Sequence, residues 1–115
     1  HGQDPAKLDQ LAMIEEAEMK VLAEFLDSLR GVAEREGTLL DRTAVLYASN
    51  LGNSSSHDNN NLPILLAGGR FQHGGHIAFD SKDNKRMANL FLRMLHHMDI
   101  EADKFGASDG VVGEV

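Results

Sequence analysis

Apolar residues in the first third of the chain recur at helical spacing: Leu8, Leu11, Ile14, Val21 with Leu22, Phe25, Leu29 and Val32. Lys7, Gln10, Glu15, Glu16, Lys20, Glu24 and Asp27 fill the other side, and Glu16 stands four residues before Lys20, a favourable helical pair. Asp4-Pro5 supplies the start signal, because the Asp carboxylate can accept from first-turn amides and Pro at the first helical position loses no needed hydrogen bond. The pattern predicts a helix from about 5 to 30. It either runs on to Arg35-Glu36 with Gly37 as its cap or stops at Gly31.

The period then changes. Two apolar runs, residues 43–48 and 62–67, are rich in β-branched, aromatic and aliphatic side chains and are bounded by turn formers, which predicts two strands. Both runs are apolar on both faces, as in strands of a sheet covered on both sides. Between them lies a polar loop, 50–61, of the kind on which α/β proteins commonly place chemistry. Pro63 is tolerable at the start of a strand or on an edge. Residues 76–80 read as a short third strand. Ser81 or Asp83 can cap a final helix over about 84–98, with Met87, Ala88, Leu90, Phe91, Met94, Leu95 and Met98 as its apolar positions. Residues 103–115, rich in Gly and small side chains, read as a loose tail.

These elements predict an α/β fold in one domain over 1–115, with a long N-terminal helix, two to three mostly buried strands and a C-terminal helix. Three short strands and two helices bury little for a sheet covered on both faces. The chain is therefore expected to pair with another copy or to belong to something larger.

Charge sharpens this picture. Of 11 Lys and Arg and 18 Asp and Glu, only Arg70, Asp58 and Asp80 fall between residues 43 and 80, which points to a buried centre. The net charge of −7, with no basic cluster and a single Tyr, gives no electrostatic footprint for nucleic acid. With no Cys there is neither a disulfide framework nor a thiolate site. No apolar stretch reaches the roughly 20 residues needed to span a bilayer, so membrane insertion is not expected and the chain reads as soluble. The start at His1, without a signal peptide, reads as a processed or partial chain.

A family resemblance gathers these segments. Asn50-Leu51-Gly52-Asn53, then His57-Asp58, then Leu62-Pro63-Ile64-Leu65-Leu66-Ala67-Gly68-Gly69 resembles the central signature of the HXXSHH family, a domain of unknown function in bacterial proteins. Gly37-Thr38-Leu39-Leu40-Asp41, His73-Gly74-Gly75-His76, Met87-Ala88-Asn89-Leu90 and Phe105-Gly106 resemble its flanking segments in order. The resemblance implies that this chain is the C-terminal part of a longer exported or periplasmic protein. His1 would then be the last His of the motif that names the family, and the missing N-terminal part would cover the sheet. It further implies a remote relation to the alkaline phosphatase and sulfatase superfamily, hence a larger α/β sandwich and metal-dependent hydrolysis of phosphate or sulfate esters.

Candidate chemistry follows from that implication. In such hydrolases the strand before the loop ends in an Asp-His ligand pair and a further His precedes the next strand; His57 stands where that later His would be. The strand end here reads Ser49-Asn50 instead, and a neutral Asn suits calcium or magnesium better than zinc. The metal candidates are His1, Asn50, His57, Asp58 and His76, for zinc, manganese, calcium or magnesium; no catalytic residue and no organic cofactor site is indicated. The plain alternative is that Asn, Ser and Asp of the loop cap their own turns, and that His73 and His76 flank a Gly-Gly turn. His96-His97 suit the C-terminal end of a helix. Ser54, Ser55 and Ser56 lack the strand-to-helix elbow of a serine hydrolase. A competing function is a non-catalytic α/β domain that binds a ligand or partner, having lost the metal site.

Overall fold

The computed structural model describes residues 3–72 and 75–115, and the chain divides into two compact units, the first ending at Arg70 and the second beginning at Phe71. The secondary structure is mixed, with two helices and two small antiparallel sheets.

Helix α1 spans Pro5–Gly31. The Asp4 carboxylate accepts from the Ala6 amide at 3.0 Å, as the Asp-Pro start signal requires, and Glu16 meets Lys20 at 2.7 Å. The helix stops at Gly31 rather than running to Glu36, because the next residues find other partners. Val32 is extended, and a short hairpin follows, β1 (Ala33–Glu34) against β2 (Gly37–Thr38). Gly37 takes a left-handed φ of +96°, and a Cβ there would strike the Asp41 carboxylate at 2.5 Å. A single 3-10 turn, Leu40–Arg42, leads into β3.

Strands β3 (Ala44–Ala48) and β4 (Ile64–Gly68) pair antiparallel, with Leu46 opposite Leu66. Both were expected, within a residue or two, but not their burial. The strands are not mostly buried: Tyr47 and Leu65 are exposed, and the other strand residues are no better than half-buried apart from exposed Ala48. The reason lies in what covers them. Helix α1 reaches the ribbon through Glu18, whose carboxylate accepts from the Tyr47 hydroxyl at 2.9 Å. Only Leu22, Leu26 and Leu29 of α1 are half-buried, and every residue from 3 to 21 is exposed. Among the described residues of the first unit the only buried one is Gly69.

The apolar core lies in the second unit: Phe71, Leu90, Leu92 and Val112 are buried. Helix α2 spans Met87–His97, shorter than expected at its start. Neither Ser81 nor Asp83 caps it, because the polar groups before it close turns of their own. The Asp80 carboxylate accepts from the Lys82 amide at 2.7 Å, the Asp83 amide donates to the Asp80 carbonyl at 3.1 Å, and Asn84 accepts from Lys85 at 2.8 Å. Arg86 becomes the cap position without a side-chain bond. Residues 76–80 form no strand, a second correction: they have no partner in a ladder, and Asp80 turns the chain.

Residues 103–115 have no regular structure, yet they are held to α2. Buried Asn89 donates to the Asp109 carboxylate at 2.9 Å and accepts from the Asp109 amide at 3.0 Å, and Arg86 pairs with the same carboxylate at 2.7 Å. Phe105 packs on Phe91 with ring centroids 5.4 Å apart, and Ser108 and Val112 are buried. At the other end of α2, the Phe71 ring stacks on His97 at 4.0 Å.

Candidate functional site

The loop between β3 and β4 is a hairpin with its own internal order. The ladder continues one step past the strands, as the Ser49 amide donates to the Pro63 carbonyl at 3.2 Å. A second closure follows at an isolated bridge between Asn53 and Asp58, where each backbone amide donates to the other's carbonyl, at 3.3 and 3.0 Å. The Gly52 amide adds a bond to the Asp58 carbonyl at 2.8 Å. Gly52 must be Gly: a Cβ would overlap the Asn60 carbonyl oxygen.

Side chains then fill the turns. Asn53 Oδ1 accepts from the amides of Ser55 and Ser56, at 2.9 and 3.2 Å, an Asx turn that holds the tip. Asp58 Oδ1 accepts from the Asn60 amide at 2.9 Å and from the Asn60 side-chain amide at 2.7 Å. The Ser49 hydroxyl accepts from the Leu51 amide at 3.1 Å. His57 and Asn61 sit in the left-handed region, at φ +56° and +52°. Ser49, Asn53 and Asp58 thus hold the loop's turns through their own side chains.

Of the metal candidates, Asn50, His57 and Asp58 are exposed on this loop. The bonds from Asp58 to Asn60 use one carboxylate oxygen, Oδ1. His76 is exposed in the second unit, and His1 and His73 lie outside the described residues. Among the described residues no three His, Asp or Glu side chains are grouped so as to hold a metal ion. Likewise no described helix is long and apolar enough to cross a membrane. In the second unit His96 Nε2 lies 2.7 Å from the Ala102 carbonyl, so this ring closes the chain after α2.

A polar cluster that the sequence reading passed over lies at the end of β4. Asp41 Oδ2 accepts from the Thr38 amide at 2.6 Å and the Thr38 hydroxyl at 2.8 Å. These bonds, with the Thr38 amide foremost, hold the Asp41 carboxyl below its usual range, and the charge of Arg70 adds to them against an opposing effect of burial. Arg70 itself donates to the Glu36 carbonyl at 2.6 Å. It follows Gly68 and Gly69 in an unbroken left-handed run, with φ of +69°, +64° and +59°. The Gly69 amide donates to the Leu40 carbonyl at 2.9 Å, and Gly68 lies so close to the Thr43 and Leu40 carbonyls that a Cβ would overlap them. The cluster ties segment 36–43 to the end of β4. Its signal was legible: Thr38-x-x-Asp41 has the spacing of a reciprocal helix cap.

No protein-family model matches the chain, and neither a curated protein nor a solved structure matches it.

Proposed function

We propose that this chain is a docking segment of a longer, exported α/β protein resembling the HXXSHH family, and that it supplies no complete catalytic group of its own. One observation carries the reading. Helix α1 presents Leu11, Ile14 and Phe25 along one side at 42%, 56% and 48% exposure, while its unit buries no apolar side chain among the described residues. A helix of this length draws most of its stability from packing an amphipathic face, so an uncovered face calls for a partner surface. The rest of the longer protein is that surface.

A second reading, metal-dependent hydrolysis of phosphate or sulfate esters by the longer protein, is favoured by a different observation. His57 and Asp58 stand side by side, exposed, on a loop whose backbone is pinned by the bridge from Asn53 to Asp58. Held at the end of the ribbon, an imidazole and a carboxylate are a partial ligand set for a divalent ion, which a chain segment elsewhere would have to complete. The bound ion would activate water and stabilise the ester oxygen.

Metal analysis of the purified longer protein separates the two. The docking reading expects His57→Ala to leave unchanged both the metal content of the longer protein and its turnover of aryl phosphates or aryl sulfates. Stoichiometric zinc or manganese that is lost in His57→Ala, together with hydrolysis, would move the assignment to the hydrolase.

A further inference from the structure

The second unit holds a cavity of about 860 Å³ between the C-terminal part of α2, the turn that follows it and the returning chain at 108–111. That volume falls within the range of small-ligand sites. Buried Leu92 and Ser108 line the cavity together with exposed Ile100 and Val111. The exposed side chains of Asp99, Glu101 and Asp103 stand around them.

Two sets of polar groups here lack counterparts. Ser108 is 6% exposed, and its Oγ accepts from the Phe105 amide at 2.9 Å, but its O–H donates to no group among the described residues. A buried donor without an acceptor calls for one. The carboxylates of Asp99, Glu101 and Asp103 likewise make no ion pair or hydrogen bond among the described residues. Asp109, the other acid of the cavity, differs: Asn89 and Arg86 hold it. Lys104 is the only Lys or Arg among the described residues that line the cavity.

We infer that this cavity binds a small organic cation with an ammonium group, an aliphatic body and a neutral oxygen acceptor, the chemistry of an amino alcohol. The oxygen accepts from the Ser108 hydroxyl, the aliphatic body covers Ile100 and Val111, and the ammonium group meets the exposed carboxylates. Other cations suit the cavity less well. A bare metal ion finds no three ligating side chains grouped about one point among the described residues. A protonated polyamine offers Ser108 no acceptor, and a free amino acid brings a further carboxylate among three that are already unpaired. The inference concerns the second unit alone and does not rest on docking through α1.

Titration of the chain with leucinol, followed residue by residue by nuclear magnetic resonance, tests it. Leu92, Ile100 and Val111 should show saturable shifts in the millimolar range. Isopentylamine, which lacks the oxygen, should bind about fivefold more weakly, and isopentanol, which lacks the charge, more weakly by at least as much. Glu101→Gln combined with Asp103→Asn should weaken leucinol while leaving isopentanol unchanged. Ser108→Ala should abolish the preference for leucinol over isopentylamine, which a merely structural loss would leave in place. No saturable shift with leucinol, or equal affinity of the wild type for leucinol and either analogue, would overturn the inference.

Discussion

Asp41 shows how much one side chain contributes to the first unit. Its carboxylate satisfies the Thr38 amide and hydroxyl, and Arg70 stands near enough to favour the charged form. The folded carboxyl therefore stays ionised where an unfolded Asp, at about 3.8, already binds a proton. Its stabilisation is fully present above pH 3.8 and is lost as the pH falls through the lower folded value. Asp109 is shifted the same way, by the Asn89 side chain first and also by Arg86. Urea titrations across pH should show Asp41→Asn less stable than the wild type at neutral pH, with the gap closing as the pH falls below about 3.8. A gap that is constant with pH would mean that the carboxylate's charge is irrelevant. The Asn, Ser and Asp of the loop were legible as turn formers, since their bonds run to amides two or three residues away. The pairing of Arg70 with segment 36–41 was not legible, because it spans 34 residues.

At the scale of elements, local signals held and long-range ones did not. Asp4-Pro5 and a 3.6-residue apolar period suffice to place α1, and two runs of β-branched and aliphatic side chains place β3 and β4. The hairpin at Ala33–Thr38 and the late start of α2 escaped because competing backbone partners decide them. The ladder between β1 and β2 stops α1 at Gly31, and the turn at Asp80 defers α2 to Met87. Strand burial escaped because an apolar run states only what a residue prefers and cannot supply the layer that covers it. The two helices should therefore respond differently to truncation in the chain alone. Leu92→Ala, at a site only 3% exposed, should destabilise the second unit by about 2–4 kcal/mol. Leu11→Ala, on the uncovered side of α1, should change stability by no more than about 0.5 kcal/mol. Thermal unfolding followed by circular dichroism checks both; a large loss for Leu11→Ala would show that α1 is already covered.

For the molecule as a whole, what stands out is the contrast between the two units. The second closes a small core around Phe71, Leu90, Leu92 and Val112 and ties its last residues back through Asn89 and Asp109. The first has well-formed elements but no core among its described residues. The proposed docking reading accounts for that contrast by a packing partner for α1. The account predicts where that partner sits. Met13 projects to a different side of α1 from Leu11 and Phe25 and a little over a quarter-turn from its neighbour Ile14, so it serves as an internal reference. Hydroxyl-radical footprinting of the longer protein, compared with the chain alone, measures the claim directly. Labelling of Leu11, Ile14 and Phe25 should fall several-fold in the longer protein while Met13, 72% exposed, stays as reactive as before. Equal labelling of all four residues in both samples would contradict it.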